Sequence, residues 1–199
     1  FRNRYFADVS YRTSGSSAYG KENRFAPMWS FGLGWNLHKE KFLENVEWID
    51  VIRLKWSWGY NGQTTGSPYQ AITTYKYSNS NIYYTGVGTV PIRMGNPELK
   101  WQRVLKNNFG INLTLFKERL VMSFDYFRTQ LFNTVLADQE LAGSDILIYN
   151  NDDRSFTDTY QVDFQWTPLR GFDIFATFRY TNSLVTLIRG ADKVEVERP

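Results

Sequence analysis

Apolar and polar side chains alternate along seven stretches of this chain. Period-two alternation sets successive side chains on opposite faces of a β-strand. Over 160–166 the apolar set is Tyr160, Val162, Phe164 and Trp166, against Gln161, Asp163 and Gln165. Over 172–181 it is Phe172, Ile174, Ala176, Phe178 and Tyr180 against Asp173, Thr177, Arg179 and Thr181, with Phe175 breaking the polar side. Pro168-Leu169-Arg170-Gly171 between them is a turn, so the two predict an antiparallel hairpin. A second hairpin joins 99–116 to 120–129 through Lys117-Glu118-Arg119, with Leu105, Phe109, Ile111, Leu113, Leu120, Met122, Phe124 and Tyr126 on its apolar side. The remaining stretches are 5–12, 29–37 and 52–60.

The connections alternate in length. Residues 13–23, 61–98 and 133–155 are long, 117–119 and 167–171 are short, and 38–50 is intermediate, with a helical turn expected around 40–45. Long loops at one end and short turns at the other mark an outer-membrane barrel, whose short turns are periplasmic. Trp29, Trp35, Trp56, Trp58, Trp101 and Trp166 all share the apolar parity. Indoles settle at a membrane interface and are hard to bury together in a small sandwich core, the soluble alternative. The pattern therefore predicts an all-β chain: an antiparallel meander of about seven strands, without a parallel pair, forming part of a large transmembrane β-barrel.

Composition agrees with this reading and excludes several others. Of 199 residues, 18% are aromatic, one is histidine and none is cysteine, which rules out disulfides, thiolate metal sites and a cysteine nucleophile. The 23 basic and 20 acidic residues are interspersed, with a net charge of +3, so no nucleic-acid partner is expected. No run approaches the roughly 20 apolar residues of a membrane-spanning helix.

Three motifs add a resemblance. Ser14-Gly15-Ser16-Ser17 leads through Pro27 to Phe31-Gly32-Leu33-Gly34-Trp35-Asn36-Leu37-His38-Lys39-Glu40-Lys41-Phe42. Ile52-Arg53-Leu54-Lys55-Trp56-Ser57-Trp58-Gly59-Tyr60-Asn61-Gly62 follows. Gly95-Asn96-Pro97-Glu98-Leu99-Lys100-Trp101 then precedes Asn108-Phe109-Gly110-Ile111. Together, over roughly residues 9–127, they resemble the SusC/RagA class of TonB-dependent outer-membrane receptors. The resemblance implies a barrel of about 22 strands with an N-terminal plug. Residues 1–199 are then expected to be a partial TonB-dependent receptor β-barrel domain, with the plug domain and remaining strands absent. It also implies uptake of oligosaccharides or peptides across the outer membrane of a Bacteroidetes-type Gram-negative cell. The implied partners are a SusD-like surface lipoprotein, outer-membrane lipid, and the TonB complex acting through the missing N-terminal part. The alternative from another class is a structural or adhesive barrel presenting surface loops.

Candidate chemistry is sparse, and the chain reads as a non-enzyme without cofactor or metal. His38 lacks further ligands nearby and reads as a solvated turn residue. Asp138, Glu140, Asp145, Asp152 and Asp153 lack the spacing of a calcium loop and read as a solvated loop. Gly86, Gly88 and Gly95 form no phosphate loop and read as loop flexibility. Asp8, Asp125, Asp163 and Asp173 fall on the polar parity near Arg12, Lys106 and Arg179, which suggests a charge-paired wall rather than an acid and base pair. Tyr69, Tyr75, Tyr77, Tyr83 and Tyr84 in the second long loop are the candidate substrate-binding residues; the same rings suit packing of the loop on itself or on a partner.

Overall fold

The computed structural model describes residues 3–64, 69–83, 86–139, 146–169, 171–189 and 192–198, and each alternating stretch is a strand of one sheet. The strands are β1 (Tyr5–Gly15), β2 (Phe25–Asn36), β3 (Ile49–Gln63), β4 (Thr74–Tyr83), β5 (Gly86–Arg93), β6 (Gln102–Leu115), β7 (Leu120–Gln139), β8 (Leu147–Leu169), β9 (Phe172–Arg189) and β10 (Asp192–Arg198). β1, β2, β3, β6, β7, β8, β9 and β10 lie side by side in that order, each antiparallel to its neighbours. The seven alternating stretches are the first seven of these.

The meander differs from expectation at the second long loop. It holds the hairpin β4–β5, which leaves the wall and touches it again through one parallel bridge, Arg93 to Leu147 on β8. The expected third loop, 133–155, is also mostly strand, because β7 and β8 stay paired out to Gln139 and Leu147. At about 3.4 Å per residue, these strands are on the order of 65–75 Å long, far beyond the 9–11 residues that cross a bilayer. Asn133, at φ 56, sits in the bulge where the ladder shifts register.

The wall is a single layer. On β7, Leu120, Met122, Phe124 and Tyr126 face one way, in register with Trp166, Phe164, Val162 and Tyr160 of β8. Phe124 is 38% exposed and Phe178 66% exposed, because no second layer covers the apolar face among the described residues. A soluble sheet would bury that face against another element. Aromatic pairs gather near its two limits: Tyr126, Tyr160 and Tyr180 run across β7 to β9 with centroids 4.9 and 6.4 Å apart, while Trp48 stacks on Phe116 at the short-turn end, 6.0 Å apart.

The short-turn end is held by side chains reaching across strands. Between β6 and β7, Phe116, Lys117 and Glu118 all have positive φ, a conformation costly for residues other than glycine. Neighbouring groups compensate: the Phe116 amide donates to Trp48 O at 2.9 Å, and the Glu118 amide to the Asp50 carboxylate at 3.0 Å. The intermediate connection forms a 3-10 turn at Leu37–Lys39, and further i to i+3 bonds carry the turning chain to Ile49. His38 is half-buried there, its Nδ1 3.2 Å from Ile52 O and 3.4 Å from Ile52 N. It is thus fastened to β3 rather than solvated, since the turn folds back over that strand.

Glu40 closes this end. Its carboxylate accepts from Tyr5 Oη at 2.6 Å and Trp35 Nε1 at 3.1 Å, with Arg4 3.4 Å away. The Tyr5 and Trp35 hydrogen bonds, aided by Arg4, hold its carboxyl below the usual range. A carboxyl whose pKa is lowered by folding stabilises the fold above its unfolded pKa and loses that contribution as pH falls through the folded value. Glu40→Gln is therefore expected to speed hydrogen exchange at the Asn36 amide, which donates to Arg4 O at 2.7 Å. In the complete barrel the difference from wild type should be present at neutral pH and vanish on acidification through the Glu40 titration. Equal exchange at neutral pH would contradict the clamp.

Candidate functional site at the loop end of the sheet

The buried apolar core lies at the long-loop end and not behind the wall. It consists of Tyr19, Ala26, Met28, Leu99 and Trp101, with Val135 and Tyr149 packed against it. Leu99 is wholly buried, Tyr19 stacks on Trp101 at 5.0 Å, and Trp101 Nε1 donates to Arg24 O at 3.3 Å.

The segment 95–101 threads through this core by asparagine chemistry. Asn96 Oδ1 accepts from the Glu98 amide at 3.0 Å, making an Asx turn. Its Nδ2 donates to Tyr149 O at 2.9 Å and Asn150 Oδ1 at 3.1 Å on β8. Asn151 takes the Lys100 backbone from both sides, donating to its carbonyl at 2.9 Å and accepting from its amide at 2.7 Å, and also donates to Asn133 O at 3.0 Å. The protruding part of β8 thus acts as a post to which the loop is tied.

Two glycines let the chains approach closely enough. A Cβ on Gly20 would collide with the Pro97 carbonyl, and one on Gly95 with the backbone of Ala71, Ile72 and Thr73. Gly95 therefore serves close packing, contrary to the expected flexibility, while Gly86 and Gly88 lie in β5.

The hairpin β4–β5 rises from this tied base. Arg93 lies over the Tyr149 ring at 5.2 Å, and Gln70 is buried at the foot, where its carbonyl accepts from the Asn96 amide at 3.3 Å. Tyr75 pairs with Pro91 and Tyr77 with Thr89, so these two tyrosines share one face of the hairpin and are 62% and 79% exposed. Tyr69 is exposed in the turn before β4, at φ 70. Tyr83 pairs with Gly86 beyond an irregularity in the ladder, and Tyr84 lies outside the described residues. The structure thus brings two of the five candidates together. Two open aromatic faces on a fixed hairpin can stack on sugar rings or on peptide side chains.

The polar face of the wall is bridged by hydroxyl and amide groups rather than by the expected ion pairs. Asp163 accepts from Ser123 Oγ at 3.0 Å and Gln161 Nε2 at 2.8 Å, and Arg179 donates to Gln161 Oε1 at 2.7 Å. Asp173 accepts from Thr167 Oγ1. Asp8 and Asp125 fold over Gly32 and Gly110, where they border a hollow of about 380 Å³ shared with Arg53, Lys55, Ser57 and Asn108. Alternation selects polar residues for this face, but short side chains on strands about 4.8 Å apart meet neutral neighbours before distant cations. No group of three or more His, Asp or Glu able to hold a metal occurs among the described residues. Glu140 and Asp145 of the acidic loop cluster lie outside them.

Residues 2–196, nearly the whole chain, match the family model described as TonB dependent receptor-like, beta-barrel. The chain belongs to that family. A TonB-dependent receptor of Formosa agariphila is 31% identical over 150 residues, covering 73% of this chain and 14% of the relative. The TonB-dependent receptor SusC of Bacteroides thetaiotaomicron is 30% identical over 141 residues, covering 67% and 14%. Among solved structures, the RagAB peptide transporter superposes with a TM-score of 0.83 at 23% identity, over 94% of this chain and 21% of the matched chain. The chain therefore spans about a seventh of the length of these two receptors, and its fold is that of a stretch of the RagAB barrel.

Within this receptor wall, the tie at the loop end should be separable from the ladder. Leu99→Ala is expected to cost about 2–5 kcal/mol at the loop core and to speed proteolysis between residues 64 and 101, while the heat-modifiable migration of the complete barrel stays unchanged. An unaltered cleavage rate would show that Leu99 does not anchor the hairpin.

Proposed function

We propose that this chain is part of the wall of an energised outer-membrane transporter that takes up oligosaccharides or peptides, without covalent chemistry. One observation carries the reading. A single-layer receptor sheet has one uncovered apolar face and one polar face; at one end the chain turns tightly at 116–119 and between β8 and β9, and at the other the strands run on into the tied loops around 16–24 and 64–101. In hydrocarbon only a closed sheet satisfies every backbone group, so the edges of β1 and β10, unpaired among the described residues, call for further strands to complete the barrel. The apolar face then meets lipid and the polar face lines the lumen. The plug domain and the segment that engages TonB belong to other parts of the receptor, and a SusD-like lipoprotein covers the loop end, as the SusC/RagA motifs imply. The fold shared with the RagAB peptide transporter supports peptides as one substrate class, and oligosaccharides are what the SusC/RagA motifs imply.

In this arrangement Tyr75 and Tyr77 meet substrate or the covering lipoprotein at the extracellular end. The complete receptor, in cells that rely on it for uptake of fluorescent oligosaccharides or peptides, tests both parts. Collapsing the proton gradient should abolish uptake. Tyr75→Ala with Tyr77→Ala should lower uptake at limiting substrate by about five-fold or more, given the worth of an aromatic contact. Uptake that survives de-energisation would refute energised transport; wild-type uptake by the double variant would remove the tyrosines from the site.

A further inference from the structure

Above the row of Tyr126, Tyr160 and Tyr180, the outward face changes character. The next outward positions are Asn107 on β6, Arg128 on β7, Asp158 on β8 and Asn182 on β9, all in one register row. Asp158 accepts from Tyr126 Oη at 2.8 Å and pairs with Arg128 at 3.6 Å. Two outward positions further along, Arg103, Phe132 and Arg154 lie opposite one another on β6, β7 and β8. The Arg154 guanidinium sits 5.8 Å from the Phe132 ring centroid, and Phe132 meets Phe156 edge to face at 6.2 Å. Arg103 and Arg154 are exposed, with no ion-pair partner among the described side chains.

Height decides what this patch meets. Along β6 from Phe116 to Asn107, the register partner of Arg128, the strand advances about 31 Å, or about 23 Å of height at a tilt near 40°, close to the 25 Å or so of the apolar band of such barrels. From Phe116 to Arg103, the register partner of Phe132, the height is about 34 Å, above that band and within the full bilayer with its headgroups. Arg128 therefore stands at the upper boundary of the apolar band, and Arg103 and Arg154 in the headgroup layer above it, on the long-loop, extracellular side. There a planar guanidinium fork suits phosphate, and aromatic rings beside it suit the boundary between acyl chain and sugar.

We propose that Arg103, Arg128 and Arg154 form a binding surface for the phosphate groups of an anionic glycolipid of the outer leaflet. The inference rests on the membrane reading above. Arg103 and Arg154 are free to engage phosphate, Arg128 is steadied by Asp158, and Phe132 and Phe156 form an apolar floor between them. The register spaces the Cα atoms of Arg103 and Arg154 by about 10 Å across two strand intervals, room for a headgroup with more than one phosphate.

The test uses the complete receptor in bilayer nanodiscs doped in turn with diphosphoryl lipid A, dephosphorylated lipid A or phosphatidylglycerol, with bound lipid counted by native mass spectrometry. Wild type should retain diphosphoryl lipid A in preference to the other two, and inorganic phosphate should not displace it. Each arginine near a charged headgroup is worth about a five-fold change in affinity. Arg103→Gln with Arg154→Gln should therefore weaken retention about 30-fold, while Arg103→Lys with Arg154→Lys keeps most of it. Undiminished retention by the glutamine variant with an intact barrel would overturn the proposal. Equal retention of dephosphorylated lipid A or of phosphatidylglycerol by wild type would do so as well, and decides the matter even if the glutamine variant does not fold. A wild-type receptor that fails to enter the nanodiscs would instead refute the membrane reading itself.

Discussion

In a strand that crosses hydrocarbon, each backbone N–H and C=O must find its partner on the next strand, because no water is there to replace it. The long uninterrupted ladders of this receptor wall follow from that requirement. β6 pairs with β7 from Arg103 to Leu115 without a shift, and β7 with β8 from Leu120 to Phe132. The first irregularity on β7 falls at Asn133, beyond the apolar band, where water can satisfy a displaced amide. Side-chain alternation is the second consequence: once a single sheet divides lipid from lumen, every other residue must suit the opposite solvent.

The loop end obeys different rules. There the protruding part of β8 packs against loop segments, and order comes from a small local core and from asparagine side chains that satisfy backbone groups of neighbouring segments. Asn96 and Asn151 join residues 95–101 to β8, and the hairpin β4–β5 is thereby fixed at its foot. A fixed foot lets an exposed hairpin hold Tyr75 and Tyr77 in one orientation, so less ordering entropy would be lost in the contact proposed for them. Rigidity of the wall and presentation by the loops are thus two physical regimes in one chain.

This division explains what could be read from the residues alone. β1, β2, β3, β6, β7 and β9 were legible because the two solvents impose period-two alternation on them, and β8 was legible only over its membrane part. Beyond Thr129 on β7 and before Tyr160 on β8 the sheet no longer parts two solvents, and residues such as Asn150 and Asn151 bond the loop segment 95–101, so alternation fades though pairing continues. β4, β5 and β10 were missed for the same reason. The turn through Phe116, Lys117 and Glu118 was legible in length but not in shape, since its left-handed residues carry no glycine and rely on Asp50 and Trp48 from β3. Of the candidate tyrosines, the residues showed the cluster, while the shared face of Tyr75 and Tyr77 depends on a hairpin register that the local pattern does not encode. The Asn96–Trp101 motif was visible as a family mark, but its work as a tie required the distant partners on β8.

The central claim is that one face of this wall meets lipid and the other water, with the boundary just above Tyr126. The chain contains no cysteine, so single cysteines placed along β7 from 120 to 132, in a complete receptor with any cysteine outside residues 1–199 replaced by serine, can carry spin labels in a lipid bilayer. Accessibility to oxygen, which concentrates in hydrocarbon, should peak at 120, 122, 124 and 126. Accessibility to a water-soluble nickel chelate should peak at 121, 123, 125 and 127, and from 128 onward the even positions should lose their preference for oxygen. Alternation of the opposite phase would mean the wall faces the other way, and the absence of alternation would mean that no membrane barrel exists.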